Sequence, residues 1–507
     1  MKAAILRTII LASSVAVFAA GCSKVSNMNG MDHSKMSMGS NSTSNSSESA
    51  TSAKLTTATP VVDGKEFTIT AQESNLEVEK GKTIPVWTFN NSVPGPQIRV
   101  KVGDTVKINL KNNLKQPVSI HWHGYPVPNN MDGIPGVTQD AVEPGKTFTY
   151  EFKATVPGTY WYHSHQDSVN QVDKGLYGSL VVEDPQDTAD RDYTLVLDEW
   201  MSSGDMDMDN DGMNMAGHDM SMYDLYTING KTGDAIDKLT VKEGDKVKLR
   251  LINAGYITHR MHLHGHSFKV VASDGQPVND PAVIKDQFVS IAPGERYDIE
   301  FTADHPGTWL LEEHAKDNRA QNMRAMIQYE GSNAKPAPSD ASEELPDFDL
   351  EEYGSMSASA FSLDQNFDEN VTMNLNTVMR NGEMVYTING KVFPDTDTIK
   401  VKKGDKVKVT FVNQSKMDDH PMHLHGHFFQ VLSKNGKPVQ GSPIMKDTLN
   451  VKPGETYEVA FTADNPGEWM FHCHDLHHAS AGMVTDVMYD DYQNNYTPDP
   501  NVNNVPE

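Results

Sequence analysis

Four His-x-His pairs stand out, two in the first repeat and two in the third: His121-Trp122-His123, His163-Ser164-His165, His423-Leu424-His425 and His472-Cys473-His474. In an extended strand, residues i and i+2 project to one face and residue i+1 to the other. Each pair therefore aims two imidazoles at one place, and imidazole is a ligand for zinc, copper, iron and nickel. A single pair carries little weight, because solvated or hydrogen-bonded histidines are common. Four pairs, two early and two late, call for a metal. The last pair encloses Cys473, the only cysteine beyond Cys22. With His472 and His474 on one face, Cys473 points the other way, into the core of its own domain. That short segment then borders two sites and joins them through covalent bonds.

The neighbourhood of Cys473 completes the second site. His478 and Met483 follow it, and His420 opens the run His420-Pro421-Met422-His423-Leu424-His425-Gly426-His427. Two imidazoles, one thiolate and a weak thioether are the ligand set of a blue-copper electron-transfer centre. Zinc also accepts Cys and His, but it has no redox role and needs no further histidines in pairs.

These ligands need a scaffold, and the sequence repeats one three times. Gly103-Asp104-Thr105-Val106, Gly244-Asp245-Lys246-Val247 and Gly404-Asp405-Lys406-Val407 each open an alternating stretch: Val106, Ile108, Leu110; Val247, Leu249, Leu251; Val407, Val409, Phe411. Period-two apolar spacing predicts strands with one buried face. Pro144-Gly145, Pro293-Gly294 and Pro453-Gly454 precede further strands of the same kind. Short strands punctuated by Gly and Pro predict three tandem all-β sandwich domains, at 55–188, 189–335 and 350–495. Residues 336–349 read as a Pro/Ser/acid-rich linker and 496–507 as a flexible tail. A length of 507 residues agrees with about three domains.

Upstream, residues 1–21 read as a secretory signal, with Lys2 and Arg7 before an apolar run. Its end, Phe18-Ala19-Ala20-Gly21-Cys22, resembles a lipoprotein signal, so Cys22 is expected to carry lipid on the outer side of the cytoplasmic membrane; plain secretion is the alternative. Residues 22–54 are rich in Ser, Asn and Met and read as a disordered tether. With Cys22 so used, Cys473 has no disulfide partner, which again favours a metal. The formal charge of −26 repels nucleic acid, and a monomer is expected.

HWHG, YWYHSH, HPMHLHGH and HCHDLHH followed by Gly482-Met483 resemble the four copper signatures of the multicopper oxidases, over nearly the whole mature chain and in the family's order. The resemblance implies three cupredoxin-like Greek-key domains holding four coppers. Type 1 copper would be held by His420, Cys473, His478 and Met483, and type 2 by His121 and His423. One type 3 copper would take His123, His163 and His474, and the other His165, His425 and His472. It implies one-electron oxidation of a donor coupled to four-electron reduction of dioxygen to water, with Asp132 as a proton-carrying acid. The alternative for Asp132 is a turn residue before Gly133. Some relatives carry a glutamate directly after the second type 1 histidine; here that residue is Ala479.

The middle repeat carries His259-Arg260-Met261-His262-Leu263-His264-Gly265-His266, but Glu313, Glu312 and Asn318 stand where Cys473, His472 and His478 would, and only His314 is retained. That pattern reads as a relic of duplication, with a labile extra metal site as the alternative. Met-rich stretches at 31–38 and 201–222 add soft thioethers suited to Cu(I), so a cuprous oxidase is favoured over a general phenol-oxidising laccase. A non-enzymatic copper-binding protein is a third reading, disfavoured by the paired histidines. A nitrite reductase-like enzyme shares the repeats but lacks the four pairs.

Overall fold

The computed structural model describes residues 60–202, 222–314, 322–336 and 344–507. The leader, Cys22, the tether and nearly all of the Met-rich insertion at 201–222 lie outside the described residues. The rest is built almost wholly of strands, in six sheets. In the first third, Lys82–Phe89, Glu66–Glu79, Thr105–Asn112 and Thr147–Lys153 form one sheet, and Val61–Asp63, Gly95–Lys101, Tyr177–Glu183 and Gly158–His163 form the other. Ile69, Ile108 and Leu110 from one sheet share a core with Ile98, Leu180 and Val182 from the other. Six- and five-stranded sheets follow between Arg191 and Tyr329, then seven- and five-stranded sheets between Glu369 and Tyr489.

The repeated markers have a shared physical basis. Gly103, Gly244 and Gly404 adopt φ of +97°, +90° and +96°, which an L side chain resists. The following aspartates close the turn: Asp104, Asp245 and Asp405 accept hydrogen bonds from the backbone N–H of Lys101, Lys242 and Lys402 at 3.1, 2.9 and 2.7 Å. Each turn launches a strand that pairs antiparallel with the strand opened by the Pro-Gly turn. Val106, Ile108, Leu110, Val247, Leu249, Leu251, Val407, Val409 and Phe411 are all fully buried, as the alternation predicts.

Polar contacts knit the sandwiches together. Arg296 forks onto Asp447 at 2.8 and 2.6 Å, a bidentate pair with both side chains fully buried. Beside it, Lys446 Nζ lies 3.1 Å from Glu295 and 3.2 Å from Asp274. The end of the 336–349 segment is pinned, with Phe348 N–H donating to the Phe288 carbonyl at 2.8 Å.

The stretch 496–507 is not the flexible tail expected from its Asn/Pro/Asp composition. Val505 N–H donates to Gln166 Oε1 at 3.0 Å, its carbonyl accepts from Asp167 N–H at 2.7 Å, and Asn504 Oδ1 accepts from Ala141 N–H at 2.8 Å. Hydrogen bonds rather than apolar burial hold this segment, so hydrophobic patterning gave no sign of it.

Replacing Lys446 with Met strands two buried carboxylates and is expected to cost about 3–5 kcal/mol in denaturant unfolding. Lys408→Met, which breaks a partly exposed pair with Glu458, should cost under about 1 kcal/mol.

Candidate metal centre

Strand register brings the paired histidines together. His423 lies opposite His472, and Met422 opposite Cys473, across the antiparallel pair His420–Leu424 and Glu468–Cys473. In the first sandwich His121 and His163 exchange backbone hydrogen bonds at 2.8 and 3.1 Å. The two sets then interlock: the His123 ring stacks on His423 with centroids 3.8 Å apart, and His121 stacks on His425 at 3.9 Å. All eight paired histidines are buried.

One nitrogen of most rings is tied down by the protein, which turns the other inward. His121, His163 and His423 place Nδ1 at 2.9, 2.9 and 3.0 Å from the carbonyls of Asp132, Ser164 and Asp447. His165 and His472 do the same with Pro506 at 2.6 Å and Cys473 at 3.0 Å. Such partners fix both tautomer and ring orientation. The inward Nε2 atoms of His121, His163 and His423, and both nitrogens of His474, are buried with no hydrogen-bond partner. Each orphan costs about 1–3 kcal/mol unless something binds it. Donor atoms of His121 with His423 and His425, and of His165 with His425 and His472, lie within 4.8 Å of one another. Burial, reinforced by the neighbouring imidazoles, pushes His163, His425, His472 and His474 well below the ordinary histidine range. They are neutral, the form that binds metal. The arrangement fits several cations on imidazole.

On the opposite face, Cys473 Sγ lies 3.6 Å from His478 Nδ1 and 3.9 Å from His420 Nδ1, and those two nitrogens are 3.3 Å apart. His420 Nε2 is held by Ser415 Oγ at 2.7 Å, and His478 Nε2 sits 3.3 Å from Asp475. Both rings therefore present Nδ1 to the thiol. Met483 is fully buried, and its carbonyl accepts from Cys473 N–H at 3.0 Å. Burial, and after it the Asp475 charge, pushes the thiol well above its usual range. Burial thus favours the protonated thiol in the absence of metal; a bound cation would reverse the balance and deprotonate the sulfur. One thiol and two inward imidazoles, with a thioether nearby, fit copper.

Asp132 is buried between the two histidine sets, with Oδ2 at 3.0 Å from His425 Nδ1 and Oδ1 at 3.2 Å from His121 Nδ1. Sequence reasoning missed other groups here. Asp447 Oδ1 reaches His123 Nε2 at 3.2 Å. Burial alone would raise this carboxyl, but the Arg296 guanidinium holds it well below the carboxylate range. Thr448 Oγ1 also reaches His123 Nε2, at 3.0 Å. Glu507 Oε1 comes within 3.4 Å of His165 and 3.3 Å of His472, and burial pushes this carboxyl up to about 8. Only the run Lys446-Asp447, a charged pair beside a strand, offered a sequence signal for any of these.

The middle sandwich forms one wall of the cluster. Gly294, at φ +82°, sits so close that an added Cβ would lie 2.9 Å from His474 Cγ and 3.1 Å from His123 Cε1. Gly294→Ala is therefore expected to displace both rings. Misplacement on that scale lowers oxygen consumption about 100-fold, and copper analysis should show metal lost from the histidine cluster while the blue absorption of the cysteine site persists.

Known proteins agree with this geometry. Family models described as multicopper oxidase match residues 70–187, 191–332 and 364–493. The chain is 32% identical over 454 residues to multicopper oxidase MmcO of Mycobacterium tuberculosis, covering 83% of this chain and 86% of that one. It is 26% identical to copper resistance protein A of Escherichia coli, covering 84% of this chain and 93% of that one. Among solved structures, a laccase from Botrytis aclada matches with a TM-score of 0.72 and 25% identity, over 87% of this chain and 90% of the other. Three cupredoxin-like sandwiches, a buried histidine cluster and an adjoining cysteine site thus coincide with matches over most of the chain, which belongs to the multicopper oxidases, copper-binding oxidoreductases that use dioxygen as acceptor.

Proposed function

We propose that this enzyme is a cuprous oxidase, taking electrons from Cu(I) and, less selectively, from phenols, and that it holds four coppers. His420, Cys473, His478 and Met483 would hold the type 1 ion, and His121 with His423 the type 2 ion. His123, His163 and His474 would hold one type 3 ion, and His165, His425 and His472 the other. Bound copper supplies one-electron transfer from the donor and reduction of dioxygen to water.

The observation that carries the substrate assignment is a cleft of about 400 Å³ beside the cysteine site, lined by Met384, Met417, Asp418, Asp419 and His478. Met417 is 85% exposed, so its thioether is open to solvent at the mouth of the cleft. Soft thioethers beside acids suit a cuprous ion. His478 lies at the floor, its ring stacked on Tyr386 at 3.9 Å. The apolar wall of Tyr256, Ile257 and Pro293 supports phenols as second substrates. Met201, where the Met-rich insertion begins, and Tyr223, the residue that follows it, are buried in one cluster with Tyr256, which supports an insertion rooted at this cleft.

Within the chain, Cys473 and its neighbours His472 and His474 form the shortest covalent link between cleft and cluster. Asp132 orients His425 and His121 and is proposed to pass protons to the cluster, as water formation consumes them. We further propose export, with Cys22 as a lipid anchor and the chain acting as a monomer. No helix among the described residues is long and apolar enough to cross a membrane.

Met384→Leu/Met417→Leu and Asp418→Asn/Asp419→Asn variants should lose roughly tenfold or more in kcat/KM for Cu(I), with phenol oxidation unchanged, when oxygen uptake is followed with each donor. Equal Cu(I) efficiency in wild type and both variants would favour a general laccase. Cys473→Ser is expected to abolish the blue absorption and both activities.

Asp132→Asn should slow oxygen consumption by about 10²- to 10⁴-fold, the contribution expected of a positioned proton carrier. Anaerobic bleaching of the blue band by donor should keep its rate. Equal slowing of the two would assign Asp132 a purely structural part.

A further inference from the structure

The middle sandwich repeats half of the histidine arrangement. Its strands His259–Leu263 and Thr308–Glu313 pair with His262 opposite Glu312 and Met261 opposite Glu313. This is the register that sets His423 opposite His472 and Met422 opposite Cys473. By register, Glu313 occupies the place of the thiol, and Glu312 the place of a cluster histidine.

The two faces have diverged. On the inner face His259 lies between two carboxylates, with Nε2 at 3.2 Å from Glu199 and Nδ1 at 3.6 Å from Glu313. Both nitrogens are committed to a buried ion pair, which closes that position to a metal.

The outer face is different. His264 Nε2 lies 2.7 Å from Glu312 Oε1, His314 Nε2 lies 3.3 Å from the same oxygen, and the two imidazole nitrogens are 3.4 Å apart. A tetrahedral ion with metal–ligand bonds of about 2.05 Å has ligand–ligand edges of about 3.3 Å, so these atoms already stand near the spacing of a coordination shell. His262 completes the set. It is 2% exposed, and neither of its ring nitrogens has a hydrogen-bond partner. Its donor atom lies within 4.8 Å of those of His264 and His314. A His–Glu–His hydrogen-bonded triad would account for three of these side chains and leave His262 unexplained.

We propose that His262, His264, His314 and Glu312 form an additional mononuclear site for a divalent d-block cation, Cu(II) or Zn(II), distinct from the copper sites of the other two domains. Three imidazoles and one carboxylate are borderline donors matched to those ions; calcium and magnesium favour an all-oxygen shell, and soft sulfur donors favour Cu(I). Phe288 backs the site, with its ring centroid 5.8 Å from His262 and 5.1 Å from His314. His264 is 20% exposed at its side chain and gives a path in from solvent.

The test uses the full-length, copper-loaded enzyme, dialysed against Zn(II) or against Cu(II), with metal content per chain determined afterwards. Wild type is expected to take up one further Zn(II), with a first shell of N/O ligands at about 2.0–2.1 Å in zinc-edge X-ray absorption. His262→Ala and His264→Ala should each fail to retain it, and Glu312→Gln should hold it at least about tenfold more weakly. Blue absorption and oxygen consumption should be unchanged in these variants, which also reports that they fold; His264→Ala, at a partly exposed side chain, carries the test alone if His262→Ala does not fold. Uptake of Cu(II) in place of Zn(II), seen as an added paramagnetic signal with nitrogen splitting that His264→Ala removes, supports the site and identifies copper as its ion. No uptake of either ion by wild type, or undiminished uptake in both histidine variants, overturns the proposal.

Discussion

The two-residue period of an extended strand is the constraint from which the rest of the molecule follows. Because His472 and His474 share a face and Cys473 takes the other, one segment must lie at the boundary between a domain core and a domain interface. Cys473 is accordingly packed into the core of the third sandwich, while its neighbours reach the rings contributed by the first. A helix could not do this, since i and i+2 diverge around its axis. The extended strand is thus what lets one tripeptide serve two sites. Pairing His423 opposite His472 then doubles the number of imidazoles on that face without extra chain.

Bringing eight imidazoles into a buried interface leaves a carboxylate beside them that the second sandwich balances. Asp447 sits 3.2 Å from His123 and 3.4 Å from His423, a buried negative charge beside the cluster. Arg296, from the middle sandwich, neutralises it through two hydrogen bonds. Space is so tight that a Cβ on Gly124 would lie 2.3 Å from both side chains. The second sandwich, having lost the thiol of its own copy, thereby serves the cluster as a wall and a counter-charge.

The sequence made some of this legible and hid the rest for a definable reason. His-x-His pairs, the Gly-Asp turns and the alternating strands are local signals. The alternating strands form as predicted, while the His-x-His pairs sit at or beyond strand ends, with strands closing at His163, Leu424 and Cys473 and residues 121–123 outside any strand. Contacts between residues far apart in sequence leave no periodic trace. Arg296 and Asp447 are 151 residues apart, Asp132 and His425 are 293, and His165 and Pro506 are 341. The segment 496–507 misled most, since its composition signals disorder while its backbone satisfies Gln166, Asp167 and His165. Composition reports the drive to bury apolar surface; it is silent about a strap held by hydrogen bonds.

The same burial that makes the cluster ready for metal sets its response to acid. His163, His425, His472 and His474 titrate well below the value of about 6.5 that they would have in an unfolded chain. The unfolded state therefore takes up protons that the folded state refuses, and stability without metal must fall as pH drops below about 6.5. A cation bound to the inward nitrogens opposes that loss, because it binds the folded arrangement and competes with protons only at the lower pH where these rings would otherwise titrate. Tautomers fixed by Asp132, Ser164 and Asp447 carbonyls remove a further reorganisation on binding. The apo fold thus carries the cost of the orphaned nitrogens in advance, and metal binding recovers it.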